Sequence, residues 1–432
     1  GQNWTLGTGW SIGDGKAIQD GTGNNSSIEQ TGVFVVGKKY KVNIEVLTLT
    51  QGQLEIYAGY PNTNIKTINS VGSYTFYIEG EGNGRFYAKP VNSFIGSVTN
   101  ISVIEILGDK PRIDYSDSST EPSLLLEPQS TNLIPYSEDF SGYYKGSNTT
   151  LTYESNVVAP DGSLGVYRLQ MPNLGSSWLS FGFLGNTSRN ASIYVKSVND
   201  GVNNQFNINA TGISPNTLTA TNNWQRFSRD FGSNQNYDVG INNGLDTYTT
   251  DVYIFGAQVE ALSYATSYIP TLGSTATRLG ETANNAGGAG VFNSEEGVLY
   301  AEIAALANSV AFQRLSLSNG TGSNRVYLQN STANNQIYVS VVSGGVSSVD
   351  VSTTSYDITQ FNKIAIKFKA NDFALWINGI EVATDINAVM PIGLNELAYD
   401  DGNGGLQYFG KTKNLQVFNY ALTDEELQTL TT

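Results

Sequence analysis

The sequence contains no cysteine and no histidine in its 432 residues. Without Cys there are no thiol nucleophiles and no disulfides, and without His there are no Ser-His-Asp triads and few ways to bind zinc. Basic residues are also scarce, with 23 Lys and Arg against 38 Asp and Glu and a formal net charge of −15. Because phosphate binding needs clustered Lys and Arg, the composition disfavours a nucleic-acid partner.

Long apolar runs are absent as well. No run approaches the roughly 20 residues that a membrane helix needs, so no membrane insertion is expected. The sequence begins at Gly1 with neither a Met nor a signal peptide, so it predicts nothing about the native start or targeting. The lack of disulfides still permits an extracellular protein, because a domain of ordinary size is stabilised by its core alone.

Glycine and aromatic residues are abundant instead, with 46 Gly and 25 Tyr. This usage is typical of short strands joined by many turns. One helix start is evident, at Thr423, whose hydroxyl and Glu426 form a capping-box pattern close to the C-terminus. The length suits about three domains of roughly 150 residues each. The sequence therefore predicts an all-β fold of three tandem β-sandwich (jelly-roll) domains with a short C-terminal helix.

Strand periodicity and breaks in it predict the domain boundaries. In Lys41–Val46 the apolar residues are expected to face a core, whereas Lys41, Asn43 and Glu45 are expected to face water. The first connector carries Pro111, Pro122 and Pro128 and the triplet Leu124–Leu126, which is too apolar for a free linker and is expected to lie along a neighbouring domain. The second connector ends in a Gly-rich stretch that predicts a hinge. In chain order the predicted divisions are sandwich 1–108, extended strap 109–135, sandwich 136–269, connector 270–290 and jelly roll 291–432.

The third domain resembles a concanavalin A-like lectin or laminin-G-type jelly roll. The resemblance rests on the hairpin Phe373–Val382, with Asn378-Gly379 at its turn, and on Phe409-Gly410 followed by Leu415–Leu427, which looks like the closing strand and short helix of that family. The resemblance implies the fold and leaves the ligand open, because this fold hosts lectins, enzymes and spacers.

The second domain resembles a carbohydrate-binding-module jelly roll of the kind found in bacteriophage tail and virion proteins. The strap, through Pro111–Tyr115 and Leu124–Pro128, is similar to a segment that precedes this module in phage structural proteins. The first domain is carbohydrate-binding-module-like in general style. The segments that carry the likeness of the second domain are Asn132–Phe140, Pro160–Ser163, Ser192–Ser197, Trp224–Phe227 and Ala257–Glu260.

Trp178 is the candidate platform for a sugar ring. Sugar sites combine an aromatic face with directional polar groups, and loops commonly carry them. Trp178 follows the loop-like stretch Leu174–Ser177, and packing in a core remains the alternative. The other four Trp, at positions 4, 10, 224 and 376, are expected to pack in cores.

The turn Tyr399–Gly405 is the candidate metal site. Asp400, Asp401 and Asn403 offer the hard oxygen ligands that Ca²⁺ prefers, although acidic Gly-rich turns are also common as plain solvated loops. Tyr399 and Asn403 are equally candidates for contact with a sugar. A calcium ion is thus the one cofactor that the sequence predicts.

No enzyme is predicted. A glycosidase needs two carboxylates flanking the scissile bond, and the Glu-x-Asp-x-x-Glu run by which the resembled hydrolases supply them is missing. The favoured hypothesis is a virion-surface or extracellular phage protein (tail fibre, tail tip or head decoration) that adheres to host-surface or environmental polysaccharide. The resemblance implies other virion proteins as partners and a homotrimer. Two alternatives stay open: a structural virion spacer without ligand, and the accessory carbohydrate-binding portion of a secreted bacterial polysaccharide-degrading enzyme.

Overall fold

The structure of the protein, a computed structural model, is nearly all antiparallel β-sheet. The prediction of an all-β fold built from β-sandwich domains is therefore confirmed. The described residues are 4–36, 38–59, 64–106, 112–116, 120–183, 185, 189–199, 201–210, 212–232, 238–244, 247–308 and 311–432.

Strands are numbered in chain order. The first section contains β1 (Thr5–Leu6), β2 (Trp10–Gly13), β3 (Lys16–Asp20), β4 (Ile28–Gln30), β5 (Lys39–Ala58), β6 (Asn64–Ile68), β7 (Gly72–Glu79) and β8 (Phe86–Ile106). The strap contains β9 (Arg112–Asp114), β10 (Ser123–Leu126) and β11 (Ser130–Asn132). The second section contains β12 (Thr150–Val158), β13 (Leu164–Met171), β14 (Trp178–Phe183), β15 (Asn190–Ser197), β16 (Gln205–Ala210), β17 (Thr217–Thr219), β18 (Gln225–Asp230), β19 (Asp238–Asn242), β20 (Thr250–Glu260) and β21 (Ala276–Arg278). The third contains β22 (Glu296–Ala305), β23 (Gln313–Ser318), β24 (Arg325–Asn330), β25 (Ile337–Ser343), β26 (Val346–Thr353), β27 (Asn362–Lys369), β28 (Phe373–Ile377), β29 (Ile380–Asp385), β30 (Glu396–Ala398), β31 (Gly410–Phe418) and the helix α1 (Asp424–Thr431).

These elements form two compact units. Unit 1 contains residues 1–108 and 130–278, and unit 2 contains residues 109–129 and 279–432. The chain thus leaves unit 1, contributes a short segment to unit 2, returns to unit 1 and then completes unit 2. No helix in the described part of the chain is long and apolar enough to span a membrane.

The first sandwich of unit 1 is one folded sheet. Its long strands β5 and β8 pair along most of their length, with several register shifts that let the sheet bend. Gly52 lies in the bent part of β5 with a φ of 72°, and a side chain there would collide with the backbone near Phe94. The sheet surrounds a core that includes Val42, Ile44 and Val46, as the alternating pattern predicts.

The second sandwich of unit 1 has two layers. A five-stranded sheet, β12-β13-β20-β15-β18, packs against a four-stranded sheet, β14-β19-β16-β17. Phe140, Phe181 and Phe206 are fully buried between the layers. Because the core lies on the inner face of the four-stranded sheet, the alternate residues of its strands point outward.

A buried ion cluster joins the two sandwiches of unit 1. The Lys41 Nζ lies 2.5 Å from Glu138 Oε2 and 2.9 Å from Asp161 Oδ2. Tyr77 and Tyr268 donate their hydroxyl protons to Glu138 Oε1 at 2.7 and 2.9 Å. We call these five residues the Lys41 cluster. The prediction that Lys41 and Asn43 meet water is wrong, because they are 4% and 8% exposed, and Lys41 is covered through its contacts with Glu138 and Asp161 of the second sandwich.

Unit 2 is a sandwich of a seven-stranded sheet, β29-β28-β27-β22-β31-β10-β9, and a five-stranded sheet, β26-β25-β24-β23-β30. Its main core lies between the sheets. The predicted hairpin turns at Asn378 and Gly379, which have φ angles of 50° and 79°. The helix packs on the outer face of the larger sheet, where Leu427 and Trp376 belong to the same buried cluster. The predicted capping box between Thr423 and Glu426 is present.

Both predicted connectors pair through their backbones with neighbouring strands or segments. Residues 109–111 lie outside the described residues, but β10 lengthens the sheet of unit 2 by pairing with β31, and Leu126 enters the core of that unit. The rest of the strap belongs to unit 1, where Asn132 Nδ2 donates to the carbonyls of Ala257 and Ile269. The Gly-rich stretch predicted as a hinge is tied down as well, since Ala286 exchanges two backbone hydrogen bonds with Leu397. Backbone pairing of this kind is not visible in composition.

Candidate functional site

The outer face of the four-stranded sheet in the second sandwich holds a groove of about 730 Å³. We call it the Trp178 groove. Ligand sites of this size are common for small molecules. Its side chains come from the three strands β14, β19 and β16 and from the loop before β17, chiefly Trp178, Ser180, Asn209, Pro215, Asp238 and Asn242.

The register of the strands explains how these groups meet. Trp178 pairs with Asn242 across β14 and β19, so their side chains lie side by side on the outer face. In the next row, Ser180, Gly240 and Asn209 are aligned across three strands. A side chain at Gly240 would meet the carbonyl oxygen of Leu179 at 1.9 Å, so the floor of the groove must be bare there.

Trp178 is held by its backbone and leaves its ring accessible. Its N–H donates to Thr149 Oγ1 at 2.9 Å, and its carbonyl accepts from the Gly146 N–H at 2.8 Å. Ser176, two residues earlier, adopts a φ of 59°, which is an uncommon left-handed conformation for a residue with a side chain. The Trp178 side chain is 41% exposed, so the sequence-predicted platform lies at the surface of a groove.

Hydrogen bonds hold the Asn242 side chain of the groove in place. Asn242 Oδ1 accepts from the Gly244 N–H at 3.0 Å and from Asn207 Nδ2 at 3.3 Å. The Asn207 amide also donates to the Tyr248 hydroxyl, while its Oδ1 is buried with no partner among the described residues. Burial raises the pKa of Tyr248, so its hydroxyl stays protonated and neutral at pH 7.

An arginine supports the wall opposite Trp178. Arg229 donates to the carbonyls of Ile208, on β16, and Ser214, in the loop, at 2.9 and 2.8 Å. Partial burial lowers the pKa of the Arg229 guanidinium from its usual value, although the group remains charged. The loop that closes the groove beside Pro215 is therefore attached to the sheet. Sequence reasoning missed Arg229, Asn209 and Asn242, because nothing in one strand indicates which strand lies next to it.

The other predicted site residues, in unit 2, do not form a comparable surface. Tyr399 is 7% exposed, and its ring lies in the core 6.0 Å from that of Tyr408. Its ring is therefore largely covered by the core, and contact of Tyr399 with a sugar stays a prediction. Asn403 is exposed on the turn and its N–H donates to Asp401 Oδ1.

The carboxylates of this turn already have protein partners. Asp400 is 2% exposed and accepts from the Gly402 N–H at 2.6 Å and from Asn284 Nδ2 at 2.8 Å. Burial raises the pKa of Asp400. Asp401 accepts from the Asn403 and Gly405 amides, and its Oδ2 lies 3.8 Å from Arg325. Among the described residues no group of three or more acidic side chains is arranged to hold a metal ion. The calcium site at Asp400, Asp401 and Asn403 stays a prediction.

No family model matches this chain, and no curated protein matches it. Solved structures give weak likenesses. The CBM40 module of the Ruminococcus gnavus IT-sialidase, bound to alpha2,3 sialyllactose, is 19% identical over 35% of this chain and 94% of that one, with a TM-score of 0.30. Mouse laminin alpha1 domains LG4-5 are 10% identical over 96% and 92%, with a TM-score of 0.23. The CBM22 tandem of Paenibacillus barcinonensis Xyn10C is 8% identical over 60% and 94%, with a TM-score of 0.22. TM-scores this low carry no argument about a ligand.

Proposed function

We propose that this protein is a non-catalytic carbohydrate-binding protein and that the Trp178 groove holds the sugar. The observation that carries the proposal is the exposed Trp178 ring beside Asn242 and Ser180 on a rigid sheet face. An indole face packs against the C–H side of a sugar ring, and amide and hydroxyl groups bond to its hydroxyls. An exposed tryptophan in a groove also argues against a spacer in which every aromatic residue is buried.

The carboxylates of unit 1 support a role without catalysis. The Trp178 groove has one described carboxylate, Asp238, whereas glycoside hydrolysis uses a pair. In the Lys41 cluster, burial opposes ionisation of Asp161, but Lys41 and Ser163 outweigh it and lower the pKa of Asp161. The pKa of nearby Asp139 is also lowered, since hydrogen bonds from Ser141 and Tyr167 outweigh its burial. A general acid needs the opposite shift.

The resemblance to bacteriophage structural proteins supports a place for this carbohydrate-binding protein on a virion surface. There the groove would serve adhesion to host-surface or environmental polysaccharide. This setting rests on the sequence resemblance alone. The test is immunolabelling with antibodies against the chain. Labelling of purified virions in electron micrographs would support this setting. Labelling confined to the medium of uninfected bacteria would refute it.

The groove is tested by glycan-array screening followed by calorimetric titration with the strongest neutral oligosaccharide. We expect Trp178→Ala to weaken binding about tenfold or more, because it removes the stacking face. Phe183→Ala is the matched control, since Phe183 is 54% exposed at the other end of the same strand and outside the groove. Equal affinity of the Trp178→Ala variant and the unmodified protein, or no binding to any glycan on the array, would overturn the proposal.

A further inference from the structure

Unit 1 contains a second cavity, of about 680 Å³, between its two sandwiches. We call it the inter-sandwich cleft. The first sandwich contributes parts of β5 and β7, and the second contributes parts of β12 and β13 and the residues around Asp139 and Leu272. The Lys41 cluster links the two sandwiches at one side of this space. No residue of the cleft belongs to the Trp178 groove.

An exposed aromatic ring lies in the wall of the cleft. Tyr153 is 44% exposed and makes an edge-on contact with Tyr167, their ring centroids being 5.3 Å apart. Burial raises the pKa of Tyr153, and Ser73 of the opposite sandwich counters part of that rise. The two tyrosines are also cross-strand partners in the β12–β13 ladder.

The backbone around Tyr153 is adapted to the position of its ring. Gly165 has a φ of 103°, and a Cβ atom there would lie 2.0 Å from the Tyr153 hydroxyl oxygen. The register of β12 and β13 also shifts between Glu154 and Val158. Bulges and glycines inside strands commonly mark places where a side chain is aimed toward a site. A ring held in this way, with one side to solvent, is suited to stacking on a ligand.

The charges of the cleft select the ligand. Its lining has one lysine and three carboxylates, Lys41 against Glu45, Glu138 and Asp139. Lys41 is already paired with Glu138 and Asp161. Glu45 and Asp139, on opposite sandwiches, therefore give the open part of the cleft a negative potential, which attracts hydroxyl and ammonium donors and repels anions.

We infer that the inter-sandwich cleft is a second carbohydrate site, which takes a short neutral or amino-bearing oligosaccharide stacked on Tyr153 and excludes acidic sugars. The volume suits about two or three sugar units. The surrounding Asn43, Ser73, Thr75 and Ser155 supply neutral polar groups for its hydroxyls. The two sites share no lining residue, so variants in one can be tested separately from variants in the other.

The test titrates the full chain with three trimers: glucosamine, N-acetylglucosamine and galacturonate. We expect binding of one or both of the first two, and no heat with galacturonate. Tyr153→Ala is expected to weaken this binding about tenfold. Tyr144→Ala is the matched control, since Tyr144 is 82% exposed in the same sandwich and outside the cleft. Tyr153→Phe retains the ring and is expected to bind within about threefold of the unmodified protein.

Trp178→Ala distinguishes the two sites. Loss of trimer binding in Tyr153→Ala but not in Trp178→Ala supports the cleft. Loss in Trp178→Ala alone places the trimer in the groove and overturns the inference, as do binding of galacturonate in preference to the other trimers and the absence of binding by all three. Thermal unfolding of Tyr153→Ala and its retained affinity for the groove ligand show whether the variant is folded.

Discussion

At the scale of single residues, the strand Lys41–Val46 shows what an alternating pattern can and cannot predict. The apolar half of the pattern is confirmed, since Val42, Ile44 and Val46 lie in the core. The polar half is wrong for Lys41 and Asn43, which are buried, Lys41 by its contacts with the second sandwich. A period of two fixes which side chains share a face, but whether that face meets water depends on domains that are distant in the sequence.

Lys41 offers the sharpest stability prediction. Lys41→Met removes the cation between Glu138 and Asp161 and leaves two partly buried carboxylates with hydrogen bonds but no opposite charge. We expect a loss of about 3–5 kcal/mol in the free energy of unfolding of unit 1, measured by urea denaturation of the full chain. The control is Lys38→Met, because the pair of Lys38 with Glu105 is exposed and its loss should leave the unfolding midpoint unchanged. Equal midpoints for both variants would show that the Lys41 cluster does not stabilise unit 1.

The aromatic residues predicted for the two candidate sites differ in exposure for a related reason. Trp178 and Tyr399 both occur beside Gly- and polar-rich stretches, yet Trp178 is exposed in a groove and Tyr399 is buried. Sequence could place an aromatic ring near a loop, but it could not place Asn209 or Asn242 beside that ring. Those neighbours come from strand pairing, and the bare floor at Gly240 follows from the close approach of Leu179.

At the scale of secondary-structure elements, the sequence was sufficient to predict those features that depend on a few neighbouring residues. The Asn378-Gly379 turn and the Thr423 cap need only their own neighbours. The strap was harder, because β10 pairs with β31, almost 300 residues away in the chain. Its leucines indicated contact with a domain, but no local pattern could say that the contact is a strand in the sheet of unit 2.

Replacing a leucine of the strap tests whether it is part of the core of unit 2. Leu126 is 1% exposed in that core, so Leu126→Ala should lower the free energy of unfolding of unit 2 by about 2–5 kcal/mol. Ile113→Ala, on the adjoining strand β9, is the control, because Ile113 is 58% exposed. The measurement is calorimetric unfolding combined with proteolysis of the unfolded fraction. A connector that merely links domains would tolerate both changes equally.

At the scale of the whole molecule, the net charge of −15 acts on any charged ligand before contact is made. The Trp178 groove itself is lined by neutral groups apart from Asp238, its one described charged side chain. Ring stacking and amide hydrogen bonds depend little on salt, whereas repulsion between the chain and a polyanion is screened by it.

Salt therefore separates specific binding from charge attraction. Between about 20 mM and about 500 mM NaCl, the affinity for a neutral glycan of the groove should change less than about twofold, because the Debye length falls without altering the contacts. The affinity for a polyuronate should be weak at low salt. Raising the salt concentration should increase that affinity only as far as the repulsion between the chain and the polyanion is screened. The measurement is calorimetric titration at the two salt concentrations, with Trp178→Ala as the reference for non-specific binding. A steep loss of affinity for the neutral glycan as salt rises would mean that ionic contacts, and not the indole face with its amides, hold the sugar.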